Sequence, residues 1–328
     1  MARTGRESRR HCPRGVDESR DSDTLIPIES AAVSEMNSRA AAFWEPRHSS
    51  SIDGDNYLNH PLVSAYTSLR ALGSLTPHLD VVIAEIRTKT PPGGRVFSPA
   101  CGNGFKELGL ARALPDRQFV ASDIADRALE HARQAAASEG LSNIEFVHMD
   151  ANDVDLGKAT FNAIAGMGAI HHIEQLEGFW AACRRALRPG GVIMGQEYIG
   201  ANRLQWTEAQ VAEGDCALRD IVPSEHKVHH TRVRATPVAE MMMLDPSEAV
   251  RSRDILPTLR DAGFELFGYA GGGGALLQPV LMSQIHTFDP TRWDHNLVLA
   301  RLFAEEDRLM REGRLEDDFC MFVTKPVT

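Results

Sequence analysis

The sequence contains no uninterrupted apolar run long enough to cross a bilayer, which leaves transmembrane helices out of the expected architecture. Cysteine is scarce and scattered. The five residues Cys12, Cys101, Cys183, Cys216 and Cys320 are odd in number and lack paired spacing, so neither a disulfide framework nor a cysteine-based zinc centre is suggested. Positive charge is also short: 35 Lys and Arg stand against 45 Asp and Glu, a formal net charge of −10. Such a chain has no general attraction for phosphate, which makes nucleic acid and anionic membranes poor partners and a small molecule a better one. What is there is a sizeable core, with apolar residues at 43% of 328. The composition is that of a soluble protein of the reducing cytoplasm, with homodimerisation left open.

Residues 1–35 are rich in Arg, Ser, Asp and Glu without a hydrophobic period, and read as disordered. No apolar stretch of secretory length follows the early arginines, so a signal peptide is not expected, and Met36 is a candidate for the true start. Helical spacing marks Ser38 to Trp44 and Leu62 to Ile86, so 36–92 is expected to form N-terminal helices. Pro91-Pro92-Gly93-Gly94 then breaks the pattern. Strands are expected at Arg95–Ser98, Gln118–Ser122, Ile144–His148, Ala163–Met167 and Val192–Tyr198, alternating with helices at Lys106–Leu114, Arg127–Glu139 and Leu176–Leu187. That alternation implies βαβ units and a parallel, doubly wound α/β sheet with helices on both faces over 93–200. Residues 201–250 interrupt it as an insertion with a helix at Thr207–Leu218, expected to form a lid with the N-terminal helices. The rhythm resumes over 251–328 with a helix at Arg253–Ala262, a strand at Phe264–Ala270, a helix at Trp293–Arg311 and a strand at Phe319–Lys325. These two strands would bring the sheet to seven, with Gly271 to Gly274 as a mobile loop.

Ligands of such sheets bind at the carboxyl ends of the strands, first of all at the turn after the first strand. Here that turn is Ser98-Pro99-Ala100-Cys101-Gly102-Asn103-Gly104, in which Gly102 and Gly104 allow close backbone approach. Asp123 ends the second strand, where a carboxylate can accept both hydroxyls of a ribose or cap the following helix. Asp150 ends the third, where it could accept an adenine amino group. Arg188-Pro189-Gly190-Gly191 reads as a structural turn before the fifth strand.

Val96 to Gly104, Asp123, Asp150 and Arg188 to Gly191 resemble the successive motifs of class I S-adenosylmethionine-dependent methyltransferases. Glu197-Tyr198-Ile199-Gly200, Arg203-Leu204-Gln205-Trp206 and Asp245-Pro246-Ser247-Glu248-Ala249 resemble a bacterial small-molecule branch of that family. The resemblance implies a Rossmann-like fold and S-adenosylmethionine as cofactor, contacted by Ala100, Cys101, Gly102, Asn103, Gly104, Asp123, Ile124, Asp150, Ala151 and Met167. Two departures stand out: Ser98 replaces the usual first-strand acidic residue and Ala100 the first glycine, with Glu107 as a possible substitute for the lost carboxylate. The rival reading is a nicotinamide-dependent oxidoreductase. Glu107 opposes it, because it occupies the third glycine position of the dinucleotide fingerprint, where a carboxylate would repel pyrophosphate but suit a cationic ligand. The altered first motif motivates a further alternative, a non-catalytic cofactor-binding scaffold or partner subunit.

The expected reaction is methyl transfer to an oxygen or nitrogen of a small-molecule acceptor such as a natural product or sugar. His171 and His172 follow the fourth strand, at the end that faces the cofactor, and either imidazole could take the acceptor's proton. Equally, one could cap the next helix while the other packs in the core. Glu197, at the end of the fifth strand, is the third candidate. No metal centre is expected. His226, His229 and His230 lack a regular ligand spacing and read as a solvated lid segment, or with Lys227, Arg232 and Arg234 as a basic attraction for an acidic substrate. Met241-Met242-Met243 would suit an adaptable apolar lining or plain packing.

Overall fold

In a computed structural model of the chain, Arg39 and residues 56–327 are described. The disordered segment over 1–35, the start at Met36 and, apart from Arg39, the helix over Ser38–Trp44 lie outside the described residues. Helix α1 (Pro61–Leu72) and α2 (His78–Lys89) lead in. Then come β1 (Arg95–Ser98), α3 (Phe105–Ala113), β2 (Gln118–Asp123), α4 (Asp126–Ser138), β3 (Ile144–His148), β4 (Phe161–Met167), α5 (Leu176–Ala186) and β5 (Leu187–Tyr198). The chain continues through α6 (Glu208–Asp220), α7 (Val238–Leu244), α8 (Ile255–Asp261), β6 (Phe264–Gly273), α9 (Leu277–Leu281), α10 (Trp293–Arg311) and β7 (Phe319–Pro326).

The strands form one seven-stranded sheet in the order β3-β2-β1-β4-β5-β7-β6. Strand alternation sorts its side chains between two cores. Phe97, Ile164, Ile193 and Phe322 point to the face covered by α5 and α8, through Phe179, Trp180, Ile255 and Leu259. Their neighbours Val96, Ala163, Ala165, Val192 and Met194 point to the face covered by α2 and α3, through Val82, Ile86, Leu110 and Leu114. Helices therefore cover both faces of a Rossmann-like sheet, as expected.

The sheet is mixed rather than parallel, because β7 runs antiparallel to both β5 and β6. Gly273, at the end of β6, faces Phe319, at the start of β7, so residues 274–318 leave and return at the same end of the sheet. A connection that does not cross the sheet must bring the chain back in the opposite direction. Gly271 and Gly273 accordingly pair with β7, with Gly272 at a register shift between them, and the stretch is strand rather than a mobile loop. Gly274 follows with φ 96°, and a Cβ there would lie 2.5 Å from the Phe319 ring. The buried Glu306 carboxylate accepts the amides of Gly274, Leu276 and Leu277, fixing the turn. The segment Arg188–Gly191 lies within β5, in the register shift between the pairing of Leu187 with Phe161 and that of Val192 with Ala163.

A separate helical cluster is assembled from distant stretches: Val63 of α1, Ala217 and Leu218 of α6, Val280 of α9, and Leu299 and Leu302 of α10. The N-terminal helices thus divide, with α1 joining the insertion and α2 joining the sheet. Arg70 of α1 pairs with Asp307 at 2.6 Å and Asp317 at 3.3 Å, and Tyr66 stacks on Phe303 at 4.4 Å. Of the three histidines expected to be solvated, His229 is exposed, whereas His226 and His230 pack into this layer. His226 is buried and stacks on Phe288 at 4.0 Å with Nδ1 on Thr287 Oγ1 at 3.0 Å, while His230 Nδ1 lies 3.0 Å from Ser283 Oγ.

Between β7 and α6, Asp318 accepts a 2.7 Å hydrogen bond from Gln210, and burial pushes its carboxyl up to about 7. An unfolded aspartate titrates near ~4. Folding therefore takes up a proton between these values, and this contribution to stability is complete below ~4 and lost as pH rises through about 7. Asp318→Asn is expected to flatten the rise of Tm on acidification from pH ~7 towards ~4. Superimposable melting profiles of variant and wild type across that range would contradict the assignment.

Candidate functional site

The first turn is laced to the end of β2. Cys101 N–H donates to the Ser122 carbonyl at 2.9 Å, and Gly102 N–H donates to Asp123 Oδ2 at 2.7 Å. Asp123 Oδ1 accepts from Ala125 N–H at 2.9 Å. A carboxylate has about four lone-pair positions, so two amide contacts hold Asp123 in place without saturating it. Ala100 takes φ 44°, a left-handed conformation that a glycine would adopt more easily. Gly104, at φ 71°, caps α3, and a Cβ there would sit 2.6 Å from the Phe146 ring.

A cavity of about 260 Å³ opens at the carboxyl ends of the strands. Of the expected cofactor contacts, Ala100, Cys101, Gly102, Asn103, Asp123, Ile124, Asp150, Ala151 and Met167 line it. Gly104 does not, because it serves the packing of α3 against β3. Sequence reasoning assigned no cavity role to Lys106, Met149, Asn152, Gly168 or Ser247, all of which line it. Asn152 follows Asp150 on the turn after β3 and accepts the amides of Glu174 and Gln175 at 2.8 and 2.9 Å, joining that turn to the segment before α5. Lys106 donates to the Met167 carbonyl.

Glu107 also lines the cavity, although 4% exposed, and Ser98 Oγ lies 2.8 Å from its Oε1 and 3.0 Å from the Ala165 carbonyl. Glu107 thus brings a carboxyl from the next helix against Ser98 at the end of β1. Burial pushes this carboxyl up. One hydroxyl has one proton, so both Ser98 contacts are satisfied together when Glu107 is protonated.

Beyond β4 a 3₁₀ turn, Ile170–His172, carries the histidine pair, with ring centroids 4.2 Å apart. Glu197 projects from the end of β5 beneath it. Its Oε1 accepts the amides of Ala169 and Ile170 at 2.9 and 3.0 Å, and its Oε2 lies 2.8 Å from His171 Nδ1. Burial alone would lower His171, but the Glu197 hydrogen bond and the Glu248 and Glu197 charges hold it above its ordinary value. For Glu197, burial is likewise outweighed by His171 and the two amides, which keep its carboxyl below the usual range. Tyr198, on the opposite face of the strand, turns away to donate to the Ala201 carbonyl at 3.2 Å.

His172 differs from its neighbour. Its Nδ1 lies 3.1 Å from Ser247 Oγ, which donates to Asp245 Oδ1 at 2.8 Å. With its proton directed to Asp245, the hydroxyl can only accept from His172, which puts the imidazole proton on Nδ1 and the lone pair on Nε2. Burial and the neighbouring His171 charge lower His172. Two adjacent imidazoles are therefore driven apart, one towards the cation and one towards the neutral base. His172 lines the cavity, whereas His171 and Glu197 stand behind it.

The loop bearing Asp245 and Ser247 is fixed to the same turn. Arg203 N–H donates to the Ala249 carbonyl at 2.7 Å, Arg203 Nη1 donates to the Pro246 carbonyl at 2.5 Å, and Val250 N–H donates to the His171 carbonyl at 3.0 Å. The two later segments picked out in the sequence, around Arg203 and Asp245, thus meet at the site.

Residues 96–191 match the family model described as "Methyltransferase domain". The ubiquinone biosynthesis O-methyltransferase of Cereibacter sphaeroides is 25% identical over 177 residues, covering 51% of this chain and 63% of that protein. A probable phthiotriol/phenolphthiotriol dimycocerosates methyltransferase 2 of Mycobacterium ulcerans is 27% identical over 180 residues, covering 55% and 65%. The chain thus spans under two thirds of the length of these two relatives. A geranyl diphosphate C-methyltransferase from Streptomyces coelicolor, solved with Mg2+, geranyl diphosphate and S-adenosyl-L-homocysteine, shares the fold at a TM-score of 0.50 and 12% identity over 89% of this chain and 98% of that one. Over residues 96–191 the chain is thus a methyltransferase domain. Among the described residues no helix is long and apolar enough to cross a membrane.

Proposed function

We propose that the protein transfers the methyl group of S-adenosylmethionine to an oxygen or nitrogen of a small-molecule acceptor, with His172 taking the acceptor's proton. The observation that carries this reading is the placement of His172, with its Nδ1 directed at Ser247, on the wall of the cavity that Asp123 and Asp150 also line. In this reading Asp123 accepts the ribose hydroxyls, Asp150 the adenine amino group with Ile124 and Ala151 beside the ring, and Glu107 with the 100–103 turn receives the methionine amino group. Met167 sits near the sulfonium.

The sulfonium already supplies the leaving group, so the protein has to align the acceptor and exclude water. The acceptor lone pair forms the new bond to the methyl carbon as the carbon–sulfur bond breaks and its electron pair goes to sulfur. The acceptor's proton passes to His172 Nε2. Glu197 acts through His171 as a positioning residue, and the layer built from α1, α6 and α10 serves as the lid.

Isotopically labelled methyl donor incubated with candidate metabolites and read by mass spectrometry tests the reading: label in an oxygen- or nitrogen-linked methyl supports it, and label on carbon alone contradicts it. Asp123→Ala is expected to weaken S-adenosylmethionine binding by about 1–3 kcal/mol, the cost of losing charge-assisted hydrogen bonds to a partly buried ligand. Unchanged calorimetric affinity in a folded variant would remove the ribose role.

A further inference from the structure

His171, His172 and Glu248 each offer a ligand atom, and these atoms lie within 4.8 Å of one another. We infer that the three side chains form a site for one divalent first-row transition-metal ion at the edge of the cavity. Two imidazoles and a carboxylate are a donor set suited to such ions, whereas Mg2+ and Ca2+ favour oxygen ligands throughout.

The surroundings of the ligands carry the argument further than their proximity. A metal-binding imidazole needs its second nitrogen held by a carboxylate, carbonyl or comparable partner, which fixes both tautomer and ring orientation. Both rings have that support at Nδ1: Glu197 at 2.8 Å for His171, and Ser247 backed by Asp245 at 3.1 Å for His172. Nε2 is then the nitrogen each ring offers. His171 Nε2 lies 3.9 Å from Glu248 Oε1, beyond hydrogen-bond length. Two ligands at ~2.1 Å from one ion are ~3.0–3.4 Å apart, so His171 Nε2 and Glu248 Oε1 need approach by less than an ångström, and no pair of the set starts more than 4.8 Å apart. Glu248 is not on a drifting segment, since Arg203 donates to the Pro246 carbonyl and Val250 to that of His171.

Three protein ligands leave coordination positions for water or for an oxygen atom of the acceptor. That last role rests on the proposed methyl transfer; ion binding itself does not. An ion would occupy the lone pairs that otherwise receive a proton, so acceptor activation passes to the ion when the site is filled.

The test is a titration of chelator-treated protein with Mn2+, following the free-ion signal by electron paramagnetic resonance. One ion per chain is expected, with affinity falling at least ~10-fold in Glu248→Gln and ~10–100-fold in Glu197→Gln, the range for loss of a supporting shell. Competition by Zn2+ at the same stoichiometry would support the site. Absence of Mn2+ and Zn2+ binding by wild type, or binding that Glu248→Gln leaves unchanged, overturns it. Calorimetry with S-adenosylmethionine on the metal-free protein separates the two readings: cofactor binding without any ion site defeats the metal proposal alone, and an ion site without cofactor binding defeats the methyl-transfer reading alone.

Discussion

Replacing His172 with alanine is expected to lower methyl-transfer turnover about 10²-fold or more while S-adenosylmethionine affinity holds, because proton removal contributes only to the chemical step. The ring lines the cavity with its Nδ1 proton directed at Ser247, so truncation removes Nε2 without touching Asp123 or the glycine turn. Raising the pH provides an internal check. An acceptor hydroxyl that ionises by itself should partly restore turnover in the variant. A His172→Ala protein that melts lower yet turns over at the wild-type rate in the cold would make the histidine structural.

The second large effect is expected at Glu197. Its carboxylate is 1% exposed and holds the Ala169 and Ile170 amides and His171 at once. Glu197→Ala leaves the buried His171 Nδ1 and two amides without their partner, and each unsatisfied buried group costs about 1–3 kcal/mol. Glu197→Gln separates positioning from packing. Its amide oxygen can still accept from the backbone, so most of the stability should return, whereas turnover should stay low because His171, whose ring lies 4.2 Å from that of the proposed base His172, loses the carboxylate that orients it. Full recovery of turnover in the glutamine variant would leave Glu197 a structural role only. The pair also has a pH signature. Glu197 is depressed, so its contribution is present above the ordinary carboxylate range and lost as pH falls through its folded value. His171 is raised, so its contribution is present below the ordinary imidazole range and lost as pH rises through its folded value.

Much of the fold was legible because local periodicity reports burial. Strand β1, strand β3 and helix α10 begin and end where the apolar pattern puts them. Pairing direction is another matter: β7 shows the same alternation whether it runs parallel or antiparallel, and only the return of residues 274–318 to one end of the sheet decides it. The four glycines from 271 to 274 looked like a flexible loop, yet pairing with β7 and the Glu306 carboxylate hold them. The cavity lining between Ala100 and Met167 was readable for a related reason, since it sits at strand ends within a short stretch of chain. The contacts of Ser247 and Glu248 were not, although resemblance had picked out their segment. They reach His172 and His171 across about 75 residues of sequence, a contact that no local spacing encodes. Glu197 and His171 were both picked out, but their hydrogen bond depends on β4 and β5 lying in register, with Met167 opposite Gln196.

Calorimetric titration of the whole protein with S-adenosylmethionine and, separately, with NADH tests the central claim most directly. The expected result is one S-adenosylmethionine bound per chain, with affinity reduced in Asp123→Ala, and no heat from NADH. NADH binding in the absence of S-adenosylmethionine binding would contradict the assignment of the cavity.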